Sequence, residues 1–294
     1  AYGPRRAAVA AEPVESGFRT ASRAVPGASA MKTGINLLLW TTFVDASHHA
    51  LLASLRETGF DGVEIPLGRG DAAHYRALAA ELDRTGLQRT AVTSLGPDAN
   101  AVSADAAVRR RASEHLAWAI DMAAALGAET LCGPLHSAFK HFTGTGPTED
   151  ELRRSVDVLR GAAERAEACG VRLAIEALNR FECYLVNTMG AARDLVRRVG
   201  HPSLGVHYDT HHMHIEERSA RAAIERVGDV RFHVHVSEND RGVPGTGQVA
   251  WAETFAALRD VGYDGWLTIE SFSRLVPEFA SAIHIWRDFA RDAE

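Results

Sequence analysis

With 294 residues, 46% of them apolar and 24% charged, the chain has ordinary globular composition and enough length for one large domain or two smaller ones. A formal charge of −6 gives no cationic surplus for wrapping a polyanion, which weighs against a nucleic-acid partner. No window approaches the roughly 18 apolar residues of a membrane span. Cys132, Cys169 and Cys183 are odd in number and lack CxxC spacing, so they read as reduced thiols of a cytoplasmic protein.

Residues 1–30 are rich in Ala, Arg, Pro, Gly and Ser and show no amphipathic periodicity. No apolar stretch follows Arg5 and Arg6, so a twin-arginine signal fits poorly, and a disordered extension ahead of a start at Met31 is expected. From there to Glu294 a single domain is expected. Runs of β-formers at 34–40, 62–67, 88–95, 130–135, 172–177, 203–208, 231–236 and 265–269 read as strands. Between them lie stretches with apolar spacing of three and four, among them 49–58, 72–85, 107–126, 149–169, 191–199 and 251–261. Gly59, Gly86, Gly127, Gly170, Gly200 and Gly262 supply helix stops, and Thr148 with Glu151 three residues on makes a capping box.

Eight strands alternating with helices across about 250 residues predict an α/β fold, a (β/α)8 TIM barrel. A doubly wound sheet competes, but no GxGxxG or GxxxxGK[ST] turn follows the first strand. A barrel places its chemistry at the carboxyl ends of the strands. Four residues fall there in succession, on strands five to eight: Glu176, Asp209, His235 and Glu270. Taken singly, a Glu that ends a strand is usually solvated, and a strand His is usually a hydrogen-bonded core residue. His233 shares a strand face with His235 by the period of two. Together, three carboxylates and an imidazole on one rim suit Mn²⁺, Co²⁺ or Mg²⁺. Burying the acids without a cation would be costly by repulsion and desolvation.

Five segments sharpen this reading: IEALNRFE at 175–182, DTHHMHIEE at 209–217, HVSENDRGVPGTG at 235–247, IESF at 269–272 and WRD at 286–288. With GFDGVEIPLG at 59–68 and GPLHS at 133–137, they make the chain similar to the ketose 3-epimerases over most of 31–288. That family lies within the xylose-isomerase-like sugar phosphate isomerase/epimerase barrels and contains D-tagatose 3-epimerase and D-allulose (D-psicose) 3-epimerase. The resemblance implies that Glu176, Asp209, His235 and Glu270 hold a divalent cation, Mn²⁺ or Co²⁺ first and Mg²⁺ as an alternative. It implies that Glu176 and Glu270 are also the catalytic acid/base pair, and that Glu182, His212 and Arg241 hold O1, O2 and O3 of the ketose. Glu64 matches a further carboxylate near the substrate or behind the ligands, and His136 either faces the pocket or stands on the exposed rim. A homodimer or homotetramer is implied too.

Some positions depart from the family pattern. Ser271 stands where Pro is common, and Phe139 stands near the place of a usual Trp, so preference toward C4 to C6 of the sugar is open. The chain ends soon after WRD, so either 277–293 alone closes the barrel or the C-terminus is trimmed.

Inverting C3 means removing a weakly acidic proton beside a carbonyl and returning one to the opposite face, which calls for a Lewis acid and two proton carriers. An aldose–ketose isomerase or an inosose-type dehydratase on the same barrel is the alternative. An endonuclease IV-like phosphodiesterase would need more histidine ligands and a cationic face. A non-catalytic sugar-binding barrel would have no use for both Glu176 and Glu270.

Overall fold

The computed structural model describes residues 31–288, so the expectation of a disordered extension falls outside the described residues. Eight strands pair in chain order and close into a barrel: β1 (Lys32–Asn36), β2 (Gly62–Pro66), β3 (Gln88–Val92), β4 (Thr130–Gly133), β5 (Arg172–Glu176), β6 (Leu204–Asp209), β7 (Phe232–Val236) and β8 (Trp266–Ile269). All pairings are parallel, and β1 meets β8 with Gly34 opposite Thr268.

The helices are α1 (His49–Thr58), α2 (Ala72–Thr85), α3 (Ala106–Leu126), α4 (Glu149–Cys169), α5 (Met189–Val199), α6 (Thr210–Glu216), α7 (Ala220–Val227), α8 (Trp251–Asp260) and α9 (Pro277–Ala282). Five of the six expected stop glycines cap a helix in the left-handed conformation; α8 instead ends on Val261, one residue before Gly262. The capping box forms, with Thr148 N–H donating to Glu151 Oε2 at 2.8 Å. None of the described helices is long and apolar enough to cross a membrane.

Two local differences have clear causes. The β-like run expected to reach residue 40 stops at Asn36, whose side chain accepts the Leu38 N–H and turns Leu37–Leu39 into a 3-10 helix. Between β6 and β7 stand α6 and α7, where periodicity singles out no helix, because segments of 7 and 8 residues hold about two turns.

Strand alternation sorts the core into two chemistries. Ile35, Val63, Ile65, Leu131, Leu173, Ile175, Val206 and Val234 belong to the main apolar core. Each such side chain contributes about 1.5–3 kcal/mol on burial. The alternate positions carry Asn36, Glu64, Thr90, Cys132, Glu176, His207, Asp209, His233, His235 and Thr268, all buried. A TIM barrel usually fills its interior with branched apolar residues. This one is polar at its centre.

Gly133 ends β4 at φ 124°, and a Cβ there would lie 2.1 Å from the Thr93 carbonyl oxygen of the neighbouring strand. Gly161 lies in α4 with nothing within 4 Å of its would-be Cβ. Gly133→Ala is expected to lower stability by about 3 kcal/mol, whereas Gly161→Ala raises it by about 0.5–1 kcal/mol. Urea unfolding midpoints moving in opposite directions check this pair.

Candidate metal centre and sugar cavity

Four consecutive strands deliver one acid or imidazole each to the same rim. Glu176 and Asp209 are the last residues of β5 and β6, His235 precedes the last residue of β7, and Glu270 follows β8. One potential ligand atom from each lies within 4.8 Å of those from the others, and all four residues are buried. The local structure fixes how each side chain points. Asp209 caps α6 by accepting the His211 N–H at 2.6 Å on Oδ1, which leaves Oδ2 turned to the centre. His235 Nε2 meets Glu64 Oε1 at 2.7 Å, while Nδ1 is buried without a hydrogen-bond partner, 3.3 Å from Glu270 Oε1. A buried imidazole nitrogen aimed into carboxylates, with its other nitrogen held by an acid, is the arrangement of a metal-ligating histidine. The donor set of three carboxylates and one nitrogen fits a hard or borderline divalent cation.

Electrostatics agree with that fit. Burial, followed by the charges of Glu270 and Asp209, pushes the Glu176 carboxyl well above the usual range. Burial also acts to raise Glu270, but His235 and Arg241 outweigh it and hold that carboxyl low. Burial acts to lower His235, yet Glu64 and Glu270 overcome it and raise its proton affinity well above normal. Arg241 spans the acids, with Nη1 2.8 Å from Asp209 Oδ2 and 2.8 Å from Glu270 Oε2.

A cavity of about 830 Å³ opens above this rim, and Glu176, Glu182, His212, Arg241 and Glu270 contribute to its lining. Its remaining wall is largely apolar, including Leu38, Phe139, Leu178, Phe272, Phe279 and Ile283. His212, on α6, has Nε2 3.3 Å from Glu176 Oε1, and its Nδ1 accepts the Asn179 backbone N–H at 3.1 Å. Glu182, half-buried in the β5–α5 connection, lies 4.0 Å from His212 Nε2. Burial raises its carboxyl against the opposing pull of Arg241. Arg241 sits at φ 64° in the β7–α8 connection.

That connection is organised by Glu238, a residue the sequence gives no reason to single out. Its carboxylate accepts N–H groups from Gly245 at 2.8 Å and from Asn239, Gln248, Val249 and the Trp251 indole at 3.0 Å. Burial opposes ionisation, but these donors prevail and bring its pKa to about 2. Ser271, two residues past β8, donates to the Gly242 carbonyl at 2.7 Å and ties the end of β8 to the same connection.

Glu64 takes the second of its two expected places, behind a ligand, and His136 takes a place away from the cavity. Glu64 is fully buried beneath His235 and is absent from the cavity wall; besides His235 it contacts Asn36, Thr90, Cys132 and His233. A sugar contact does not fit that position, because the side chain lies under His235 and outside the cavity wall. His136 is also fully buried, between Ser137 Oγ at 3.0 Å and the Glu176 carbonyl at 2.9 Å, where it braces the end of β5. Asn36, not singled out in the sequence, donates to Glu64 Oε1 at 3.1 Å and Glu270 Oε1 at 2.9 Å.

Comparison with known proteins follows this geometry. A model of the family described as xylose isomerase-like TIM barrel matches residues 52–289. A ketose 3-epimerase of Arthrobacter globiformis is 34% identical over 267 residues, covering 90% of this chain and 92% of the relative. An L-ribulose 3-epimerase of Mesorhizobium japonicum is 34% identical over 264 residues, covering 89% of each. The crystal structure of D-psicose 3-epimerase with D-tagatose from Clostridium cellulolyticum H10 superposes with a TM-score of 0.83 at 34% identity, covering 90% of this chain and 93% of that one. Such similarity, carried along nearly the whole barrel, makes the chain a member of the xylose isomerase-like TIM barrel family and, within it, of the ketose 3-epimerases, sugar-transforming enzymes of the isomerase class.

Proposed function

We propose that the chain inverts free ketoses at C3, with Glu176, Asp209, His235 and Glu270 holding a divalent cation and Glu176 and Glu270 carrying the protons. The observation that supports this most is the convergence of those two carboxyls at one buried centre, with environments that push their proton affinities apart. A bound cation of the Mn²⁺ or Co²⁺ kind, with Mg²⁺ as the alternative, supplies Lewis-acid stabilisation of the negative charge that develops on the ketose oxygens.

The protein's own part is positional and proton-carrying. One of Glu176 and Glu270 takes the C3 proton from one face as a carboxylate, and the other returns one to the opposite face as the acid; the roles exchange in reverse. Each such transfer is typically worth about 10²–10⁴ in rate. Glu182, His212 and Arg241 hold O1 to O3, which fixes C3 between the acids. Toward C4 to C6 the ketose meets the apolar wall with Phe139 and Phe272. The pair acted on is one of D-tagatose/D-sorbose, D-fructose/D-allulose or a ketopentose. Glu64 serves His235 and not the sugar. A homodimer or homotetramer belongs to the same proposal, which sedimentation equilibrium checks.

Protein stripped with a chelator is expected to lose C3 inversion and to regain it with Mn²⁺ or Co²⁺. In deuterated water the label should enter at C3; label at C1 or C2 instead establishes an aldose–ketose isomerase. Glu176→Gln and Glu270→Gln should each lower kcat by at least about 10²-fold, read in steady-state assays with bound metal quantified in parallel. Glu64→Gln should leave the sugar KM near its original value while weakening metal affinity by about 10–100-fold, measured by metal-buffered titration.

A further inference from the structure

Below the acids, the barrel contains a second set of donors that the proposed reaction leaves unused. Cys132 on β4, His207 on β6 and His233 on β7 occupy inward positions at 0%, 0% and 3% exposure. A ligand atom from each, together with one from His235, falls within a mutual distance of 4.8 Å. Neither ring nitrogen of His207 has a hydrogen-bond partner, although both are buried. An unsatisfied buried polar group costs about 1–3 kcal/mol, and an ordinary core would place an apolar side chain there. The orphaned ring packs against its neighbours, its centroid 5.2 Å from that of His233 and 3.9 Å from that of His235.

Glu64 divides its two oxygens between the layers. Oε1 serves His235 Nε2 and Asn36 above. Oε2 lies 3.2 Å from Cys132 Sγ, 3.2 Å from His233 Nε2 and 2.8 Å from Thr90 Oγ1. We infer that Cys132, His207, His233 and Glu64 Oε2 form a second, structural cation site, suited to Zn²⁺ or Co²⁺ and separate from the catalytic centre.

The donor chemistry sets this site apart from the one above it. One sulfur, two imidazoles and one carboxylate oxygen make a four-ligand tetrahedral set of the zinc type. With bonds of about 2.0–2.3 Å, tetrahedral donors sit about 3.3–3.7 Å apart, and the two Glu64 contacts at 3.2 Å fall just short of that spacing. A dication facing the Cys132 thiolate and Glu64 is neutralised locally, and the thiol proton is released as the ion binds. His235 is left out of the set because it belongs to the upper group, with its Nδ1 3.3 Å from Glu270 Oε1. A cleft of about 430 Å³ at the amino ends of the strands has His233 in its wall, alongside Lys32, Glu129 and Arg172.

Cobalt substitution of the full chain tests the site. Wild-type protein saturated with Co²⁺ is expected to bind two equivalents and to show a thiolate-to-cobalt charge-transfer band in the near ultraviolet. Cys132→Ser should abolish the band and reduce the content to one equivalent. Glu270→Gln should release the upper ion and keep the band. Absence of the band from saturated wild-type protein overturns the site, leaving His207 to face Glu176 Oε2, 3.7 Å from its Nδ1, without a metal. Persistence of the band in Cys132→Ser overturns it as well. Should that variant fail to fold, the wild-type spectrum alone decides.

Discussion

Mutual repulsion among carboxylates that have lost their water is the constraint on which the interior depends. At an effective dielectric of about 20, two unit charges 4 Å apart interact by about 4 kcal/mol. Three such repulsions among Glu176, Asp209 and Glu270 would approach the roughly 5–15 kcal/mol that keeps a domain folded. Each device at the rim offsets part of this. Arg241 reaches two of the acids, His235 is pulled toward its charged form, and Glu176 is pushed toward its neutral one. A dication among the four ligands answers the same imbalance, so the charge problem and the chemistry share a solution.

The surrounding architecture keeps these charges in place. Glu238 gathers five donors from this connection and the start of α8, and its carbonyl accepts the N–H of Arg241 at 3.0 Å. Asn36 stands between Glu64 and Glu270 and gives each a proton donor, so the layer beneath the rim is linked to the rim itself. His136 and Asn179 act through the backbone or through His212. Much of the apparatus around the acids thus consists of neutral or structural groups whose function is orientation.

The barrel was legible in the sequence because period two and the stop glycines are local signals that tertiary context did not override. The rim was legible for a related reason: an acid or imidazole at four successive strand ends is a pattern that a linear reading can find. Glu182, His212 and Arg241 needed the family resemblance, since each alone resembles a surface charge or a loop histidine. What escaped was set by contact between distant segments. Asn36 lies inside a Leu-rich run that reads as continuing strand, and its partner Glu270 is 234 positions away. Glu64 was legible as a carboxylate near the site, but a strand-end position did not decide between its two expected places, because it does not reveal whether a side chain rises to the mouth or lies under a ligand.

The segment around α9 bears on how the molecule can change. Phe279, Ile283, Ile285 and Trp286 border the mouth of the cavity, yet none belongs to a barrel strand. The four candidate ligands are thus anchored at the ends of barrel strands, while the contour of the cavity mouth depends in part on a late stretch of chain outside the hydrogen-bonded sheet. Substitutions in that stretch can reshape selectivity without disturbing the charged interior, giving variation a place to act at low cost to folding.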